Sequence, residues 1–157
     1  RDSLTSGGVS MGDWDLVRKI MEEEGDLHFW RVKLRPGSPP LFGLWNNTPI
    51  FGLPGNPVSS HVVFRMLVAP WIRHNTQANG PIEYRAYATL ATKVKSTGDC
   101  LTLRRVAIVN EDGQLFAHQT IHQGSGNLVS MAMSEGMVVL QPGQKYSIGD
   151  TVEVMFL

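Results

Sequence analysis

Residues 75–81, Asn-Thr-Gln-Ala-Asn-Gly-Pro, break this chain with a polar run that has no hydrophobic periodicity and ends in a turn signal. Before it, helical and strand patterns alternate; after it, only short strand patterns recur. A change of rhythm on that scale predicts two units, residues 1–75 and 82–157, joined by a linker at 76–81. The chain of 157 residues, 42% hydrophobic and 18% charged, has the composition of a globular protein.

The predicted fold class is α/β plus all-β. In the first half Thr5-Ser6-Gly7-Gly8 reads as a loop leaving a strand whose body precedes residue 1, so the chain is expected to start within a domain. Asp13 is the expected cap of a helix over 14–24, in which Leu16, Val17, Ile20 and Met21 share a face and Gly25 ends the run. A strand over Leu27 to Leu34 is followed by a hairpin, Leu41 to Trp45 and Thr48 to Leu53, closed at Asn46-Asn47. Asn56 as cap and Pro57 as first residue then open a helix reaching about His74, bent or shortened at Pro70. The second half offers strands at 83–91, 101–109, 114–120, 136–141 and 150–157, with a hairpin at Asp112-Gly113 and a helical turn over Leu128 to Met133. A small β-barrel or sandwich is the expected outcome.

A formal net charge of zero, from 14 basic and 14 acidic residues, removes the simple electrostatic case for nucleic-acid binding. No apolar run approaches the roughly 20 residues that cross a bilayer, and the first residues do not resemble a signal peptide. Neither a membrane nor an export route is expected, and a cytoplasmic protein is. Cys100 is the only cysteine and the histidines lack metal-ligand spacing, which argues against structural zinc.

Chemistry concentrates in the first half. No Asp or Glu falls between Asp26 and Glu83, while Arg31, Lys33, Arg35, Arg65 and Arg73 do. The residues alone leave two readings open, an anion-binding face or a solvated basic one. Gly7 to Asp15, GGVSMGDWD, joins a glycine-rich turn to a helix start, an arrangement suited to anions. Asp13 and Asp15 would repel phosphate unless a divalent cation lay between; they can equally be a cap and a first-turn acid. On a strand of period two, Arg31, Lys33 and Arg35 would share one face, either as a polyanion row or as a charged edge. Pro54-Gly55-Asn56-Pro57 is a stiff strand-to-helix loop, either a ligand cradle or simply an efficient turn.

Taken together, GGVSMGDWD, FWRVKLRPGSP at Phe29 to Pro39, FGLPGNPVSS at Phe51 to Ser60 and HQGSGNLVSMA at His122 to Ala132 resemble the MoeA and gephyrin E-domain family in order and spacing. The resemblance implies part of an αβα, MogA-like molybdopterin-binding domain followed by a small C-terminal β-barrel. It implies a molybdotransferase that inserts molybdenum from molybdate into adenylylated molybdopterin with release of AMP, assisted by Mg2+. By the same resemblance Asp15 is the catalytic and metal-holding carboxylate. Gly7, Gly8, Ser10, Arg31, Arg35, Pro54, Gly55, Asn56, Pro57 and Ser125 become substrate-binding residues. Arginine stands at 31 and 35 where the family often has lysine, and Ser38 replaces another lysine, so Ser38 is not counted as a ligand. A homodimer and a MogA-like adenylyltransferase partner are implied for the whole protein, and little activity for this segment alone. The rival readings are a MogA-like pterin-binding or adenylylating protein and a gephyrin-type scaffold module.

Overall fold

The computed structural model describes residues 2–12, 15–81, 83–120 and 122–157; the cap expected at Asp13 lies outside them. The chain divides into two compact units, Arg1–Val32 with Pro36–Asn79, and Lys33–Arg35 with Gly80–Leu157.

The first unit runs β1 (Ser3–Ser6), α1 (Leu16–Glu23) and β2 (Asp26–Trp30). It resumes, after β3 (Leu34–Arg35), with β4 (Leu41–Trp45), β5 (Thr48–Leu53), α2 (Pro57–Val63), a π-helical turn (Phe64–Val68) and α3 (Ala69–Asn75). Its sheet has the order β1-β5-β4-β2. Asn46 and Asn47 take φ of 48° and 61°, the left-handed pair that makes a two-residue hairpin follow the strand twist. Trp45 accordingly faces Thr48 across β4 and β5. Met21 on α1 packs with Val9, Leu41 and Ile50 in the core. The strands carry glycine beneath these contacts: a Cβ on Gly43 would lie 2.7 Å from Met21 Cε, and one on Gly52 2.6 Å from Val9 Cγ1. Gly25 serves the same end, because its Cβ would meet Met21 Cε at 2.9 Å; the helix has already stopped at Glu23.

Two expectations for this half are corrected. A strand body precedes the glycines within the chain: β1 pairs in parallel with β5, from Ser3 opposite Ile50 to Ser6 opposite Leu53. Its residues are mostly exposed, so no hydrophobic run marked it. The strand foreseen over Leu27 to Leu34 stops at Trp30, since Arg31 takes φ 72° and its N–H donates to the Pro40 carbonyl at 2.9 Å. Leu34 and Arg35 then pair with Leu101 and Thr102 in the second unit. Arg31, Lys33 and Arg35 therefore do not form a row on one strand.

The helix opened by Pro57 continues through the π-helical turn, where the Ala69 N–H reaches the Phe64 carbonyl. Pro70 has no N–H to give the preceding turn, and the widened turn just before it absorbs the mismatch that the sequence suggested as a bend.

The second unit consists of β3 with β6 (Arg85–Leu90), β7 (Val94–Lys95), β8 (Leu101–Glu111), β9 (Gln114–Gln119), α4 (Leu128–Ala132), β10 (Gly136–Leu140), β11 (Lys145–Tyr146) and β12 (Thr151–Phe156). The pairings β8-β10-β12-β6-β9-β8 close a five-stranded ring, a small barrel. Its interior is filled by Ala88, Leu90, Val106, Ala117, Val138, Leu140, Val152 and Val154, small and branched side chains that suit a narrow barrel. β8 and β9 meet through Asp112 and Gly113, with φ of 50° and 86°.

Candidate functional site

Because β1 and β5 run in parallel side by side, their last residues, Ser6 and Leu53, deliver two loops to the same sheet edge. Ligands of α/β sheets gather at such carboxyl ends. The Gly7 N–H donates to the Leu53 carbonyl at 2.9 Å, tying the loops together. Gly7 and Gly8 have φ of 84° and 73°, a left-handed backbone that side-chained residues rarely adopt. A Cβ on Gly8 would also strike Val17 Cγ2 at 2.9 Å.

Between the loops lies a cavity of about 310 Å3, lined by Gly7, Gly8, Ser10, Asp15, Pro54, Gly55 and Asn56 together with Val9, Pro39 and Ser59. Seven of the residues singled out from sequence thus share one hollow. Pro57 does not line it but begins α2 behind the loop. Asn56 occupies the cap position of α2, yet its side chain makes no capping hydrogen bond. The rigidity comes instead from Ser60, whose hydroxyl donates to the Pro54 carbonyl at 2.6 Å.

Asp15 departs from the first-turn position expected of it. It precedes α1, and its Oδ2 accepts the Gly12 N–H at 2.6 Å while its own N–H donates to the Gly12 carbonyl at 3.1 Å. The carboxylate folds back on the loop and lines the cavity.

Arg18 and Trp30 escaped the sequence reading, although both lie within or beside the motifs. The Arg18 N–H donates to the Gly8 carbonyl at 3.1 Å, and its Nη1 to the Ser10 carbonyl at 3.4 Å. The Trp30 indole N–H donates to the Val9 carbonyl at 2.7 Å. The Arg18 and Arg31 guanidinium carbons lie 4.3 and 4.5 Å from the centre of the Trp30 ring, within cation–π range. Two cations are thereby gathered around the indole that anchors the glycine loop.

Lys33 is otherwise engaged. Its Nζ lies 2.6 Å from Asp99 Oδ2, and this hydrogen bond and attraction raise the lysine pKa and lower that of Asp99. Arg35 and Ser125 belong to the second unit. The loop carrying Ser125 is braced from below by Arg105, which is 1% exposed. Its Nη2 donates to the carbonyls of His122 and Gly124 at 2.7 and 3.1 Å, and its Nε to Ser130 Oγ at 3.2 Å.

Among the described residues no three His, Cys, Asp or Glu side chains are placed to hold a metal ion. Asp15 is the one described carboxylate on the cavity wall. Among the described residues, no helix is long and apolar enough to cross a membrane.

Comparison with known proteins covers both units. Residues 3–74 match the family described as "Probable molybdopterin binding domain", and residues 87–157 match "MoeA C-terminal region (domain IV)". The molybdopterin molybdenumtransferase of Haemophilus influenzae is 36% identical over 155 residues, which cover 96% of this chain and 38% of the relative. That of Bacillus subtilis is 31% identical over 156 residues, covering 98% and 36%. The chain therefore spans less than two fifths of the length of these relatives. A solved structure of the molybdopterin biosynthesis MoeA protein from Pyrococcus horikoshii superposes with a TM-score of 0.74 at 26% identity, over 98% of this chain and 36% of that one. A MogA-like protein without a terminal barrel is disfavoured by the second match and by the closed barrel. Two family matches in sequence order, relatives aligned along nearly the whole chain and a shared fold lead to one assignment: the chain belongs to the MoeA family.

Proposed function

We propose that the protein carrying this chain inserts molybdenum from molybdate into adenylylated molybdopterin and releases AMP, a step of molybdenum cofactor biosynthesis. The observation that carries this reading is the cavity at the carboxyl ends of β1 and β5, where glycine backbone and the Asp15 carboxylate face the same space. Gly7, Gly8 and Gly55 let a ligand approach the main chain, Ser10 and Asn56 supply polar side chains, and Pro54 and Pro57 hold the loop's shape. Arg31, gathered on Trp30 beside the glycine loop, is assigned to the anionic groups of the pterin nucleotide. Arg35 and Ser125 are assigned to the same substrate from the second unit by resemblance to the family.

Asp15 suits magnesium in one way only. A carboxylate such as Asp15 can leave most of the shell to phosphate oxygens and water, which is how magnesium commonly accompanies phosphates. Its role there would be to neutralise phosphate charge. The chain's own groups position and screen the substrate, the main protein contribution in phosphate chemistry.

In domain terms the reading takes residues 1–75 as part of an αβα pterin-binding domain, 76–81 as linker and 82–157 as the terminal barrel. A cytoplasmic homodimer, served by a MogA-like adenylyltransferase, completes it. The test is molybdate-dependent AMP release from adenylylated molybdopterin in the presence of magnesium. The whole protein should release AMP, whereas this segment alone should not reach the whole protein's rate. A whole protein that binds the pterin but releases no AMP with molybdate overturns the assignment.

A further inference from the structure

The barrel carries a second hollow with four cationic side chains among its described lining residues. In the two-stranded ribbon β7–β11, Val94 pairs with Tyr146 and Lys95 with Lys145. Val94 is 3% exposed and Tyr146 packs against the barrel core, so this pair faces inward. Lys95 and Lys145 consequently stand directly opposite one another on the outer face, an arrangement of like charges that destabilises a strand pair. Lys93, just ahead of β7, lines the same hollow.

A fourth cation comes from β8. Arg104 Nε donates to the Lys95 carbonyl and Nη2 to Thr97 Oγ1, both at 3.0 Å, so its guanidinium is fixed by neutral oxygens. Partial burial without a carboxylate beside it holds its pKa below the usual arginine value. Lys93, Lys95, Arg104 and Lys145, with Tyr146, line one hollow of about 630 Å3, and no Asp or Glu is among its described lining residues. Among the described residues none of these four cations is ion-paired with a carboxylate.

Lysines on a short edge ribbon also discourage strand-to-strand aggregation. That purpose does not require them to oppose each other, nor to surround a concavity with an immobilised arginine. A cavity of this size lies within the roughly 300–1,000 Å3 common for small-molecule sites, so a compact ligand fits better than a macromolecular face. Opposed lysines and an arginine on the wall of one hollow suit an anion with more than one charged group.

We propose that this hollow on the barrel binds a small molecule bearing at least two phosphate-type groups. None of its lining residues lines the cavity at Asp15.

Inorganic pyrophosphate is the probe, titrated calorimetrically into the chain at about 0.15 M salt, where loose surface pairing is screened, with orthophosphate and sulfate as controls. Pyrophosphate should bind at least about tenfold tighter than either control, and Lys95→Gln or Lys145→Gln should each weaken it about tenfold. Lys95→Arg, which keeps the charge, should retain binding. Without ligand, the two glutamine variants should melt no lower than the parent because they relieve the facing charges. Backbone amide shifts on binding should centre on residues 93–97 and 145–147. Pyrophosphate that binds no tighter than orthophosphate, or binds equally well to both glutamine variants, overturns the proposal. So do glutamine variants that melt well below the parent, since the lysines would then be structural.

Discussion

Trp30 donates its indole N–H to the carbonyl of Val9 at 2.7 Å, so the end of β2 holds the glycine loop in place. Trp30→Phe preserves a ring for Arg18 and Arg31 but leaves that carbonyl without its partner. An unsatisfied acceptor in a partly buried place should cost about 1–3 kcal/mol, read by denaturant unfolding. Affinity for the pterin nucleotide should fall as well, because the loop lining the cavity loses its anchor. Unchanged stability together with unchanged affinity would mean that the bond contributes nothing.

Asp15 should matter to ligand and little to folding. An Asp15→Asn side chain still offers an oxygen to the Gly12 N–H, which donates to the carboxylate here. The charge itself, next to the start of α1, contributes no more than about 0.3–1 kcal/mol through the helix dipole. Titrating pterin nucleotide with and without magnesium should therefore show the magnesium-dependent gain in affinity disappear while the melting temperature barely moves. Persistence of that gain in Asp15→Asn would remove Asp15 as the metal-holding group.

What could be read from sequence was local chemistry with an unambiguous conformational demand. Asn46-Asn47 and Asp112-Gly113 require left-handed backbone, and both close hairpins. Pro57 tolerates only the first turn of a helix and sits there. Seven of the named site residues reached one cavity because they lie on two loops that leave neighbouring parallel strands. The pairing of those strands was not legible: β1 is polar and exposed, and its partner lies more than forty residues away. The cationic strand failed for a related reason. Alternating Arg31, Lys33 and Arg35 fit a period of two, but period says nothing about a positive φ at Arg31 or about Leu34 and Arg35 pairing with β8. Hydrogen bonds to carbonyls, such as those from Trp30 to Val9 and from Arg105 to the His122 and Gly124 carbonyls, leave no sequence signature at all.

His61, on α2 behind the Pro54 loop, makes the stability depend on pH. Its Nε2 is buried without a hydrogen-bond partner, and burial, aided by the nearby Arg65 charge, lowers its pKa from the ordinary 6.5. The unfolded chain then takes up a proton before the folded one does. Its contribution is fully present above the unfolded value of 6.5 and is lost as pH falls below it toward the lower folded value. Between about pH 7.5 and pH 5 the slope from one such group is at most about 1.4 kcal/mol per pH unit. His61→Gln should flatten that part of the unfolding profile; an identical slope in the variant would show that another group is responsible.

Arg31 and Lys33 supply an internal control for the anion assignment, because the structure places two neighbouring cations in different circumstances. Arg31 stacks on Trp30 beside the glycine loop with no carboxylate partner among the described residues, whereas Lys33 is paired with Asp99 at 2.6 Å on an exposed surface. Arg31→Ala should weaken pterin-nucleotide binding by about 1.5–3 kcal/mol, the range for hydrogen bonds to charged groups. Lys33→Ala should change it by much less, and by little in stability, since exposed ion pairs contribute about 0–1 kcal/mol. Arg31→Lys should keep much of the affinity but lose the planar fork. A further variant separates binding from backbone strain. Arg31 has φ 72°, a conformation costing roughly 1–2 kcal/mol for a residue with a side chain. Arg31→Gly relieves that strain while giving up the stacking on Trp30, and should therefore be more stable than Arg31→Ala yet bind equally poorly. Calorimetric titration of the four variants, alongside their unfolding curves, decides the matter. If Arg31→Ala and Lys33→Ala bind the nucleotide as the parent does, Arg31 is a structural cation resting on an aromatic ring, and the phosphate assignment falls.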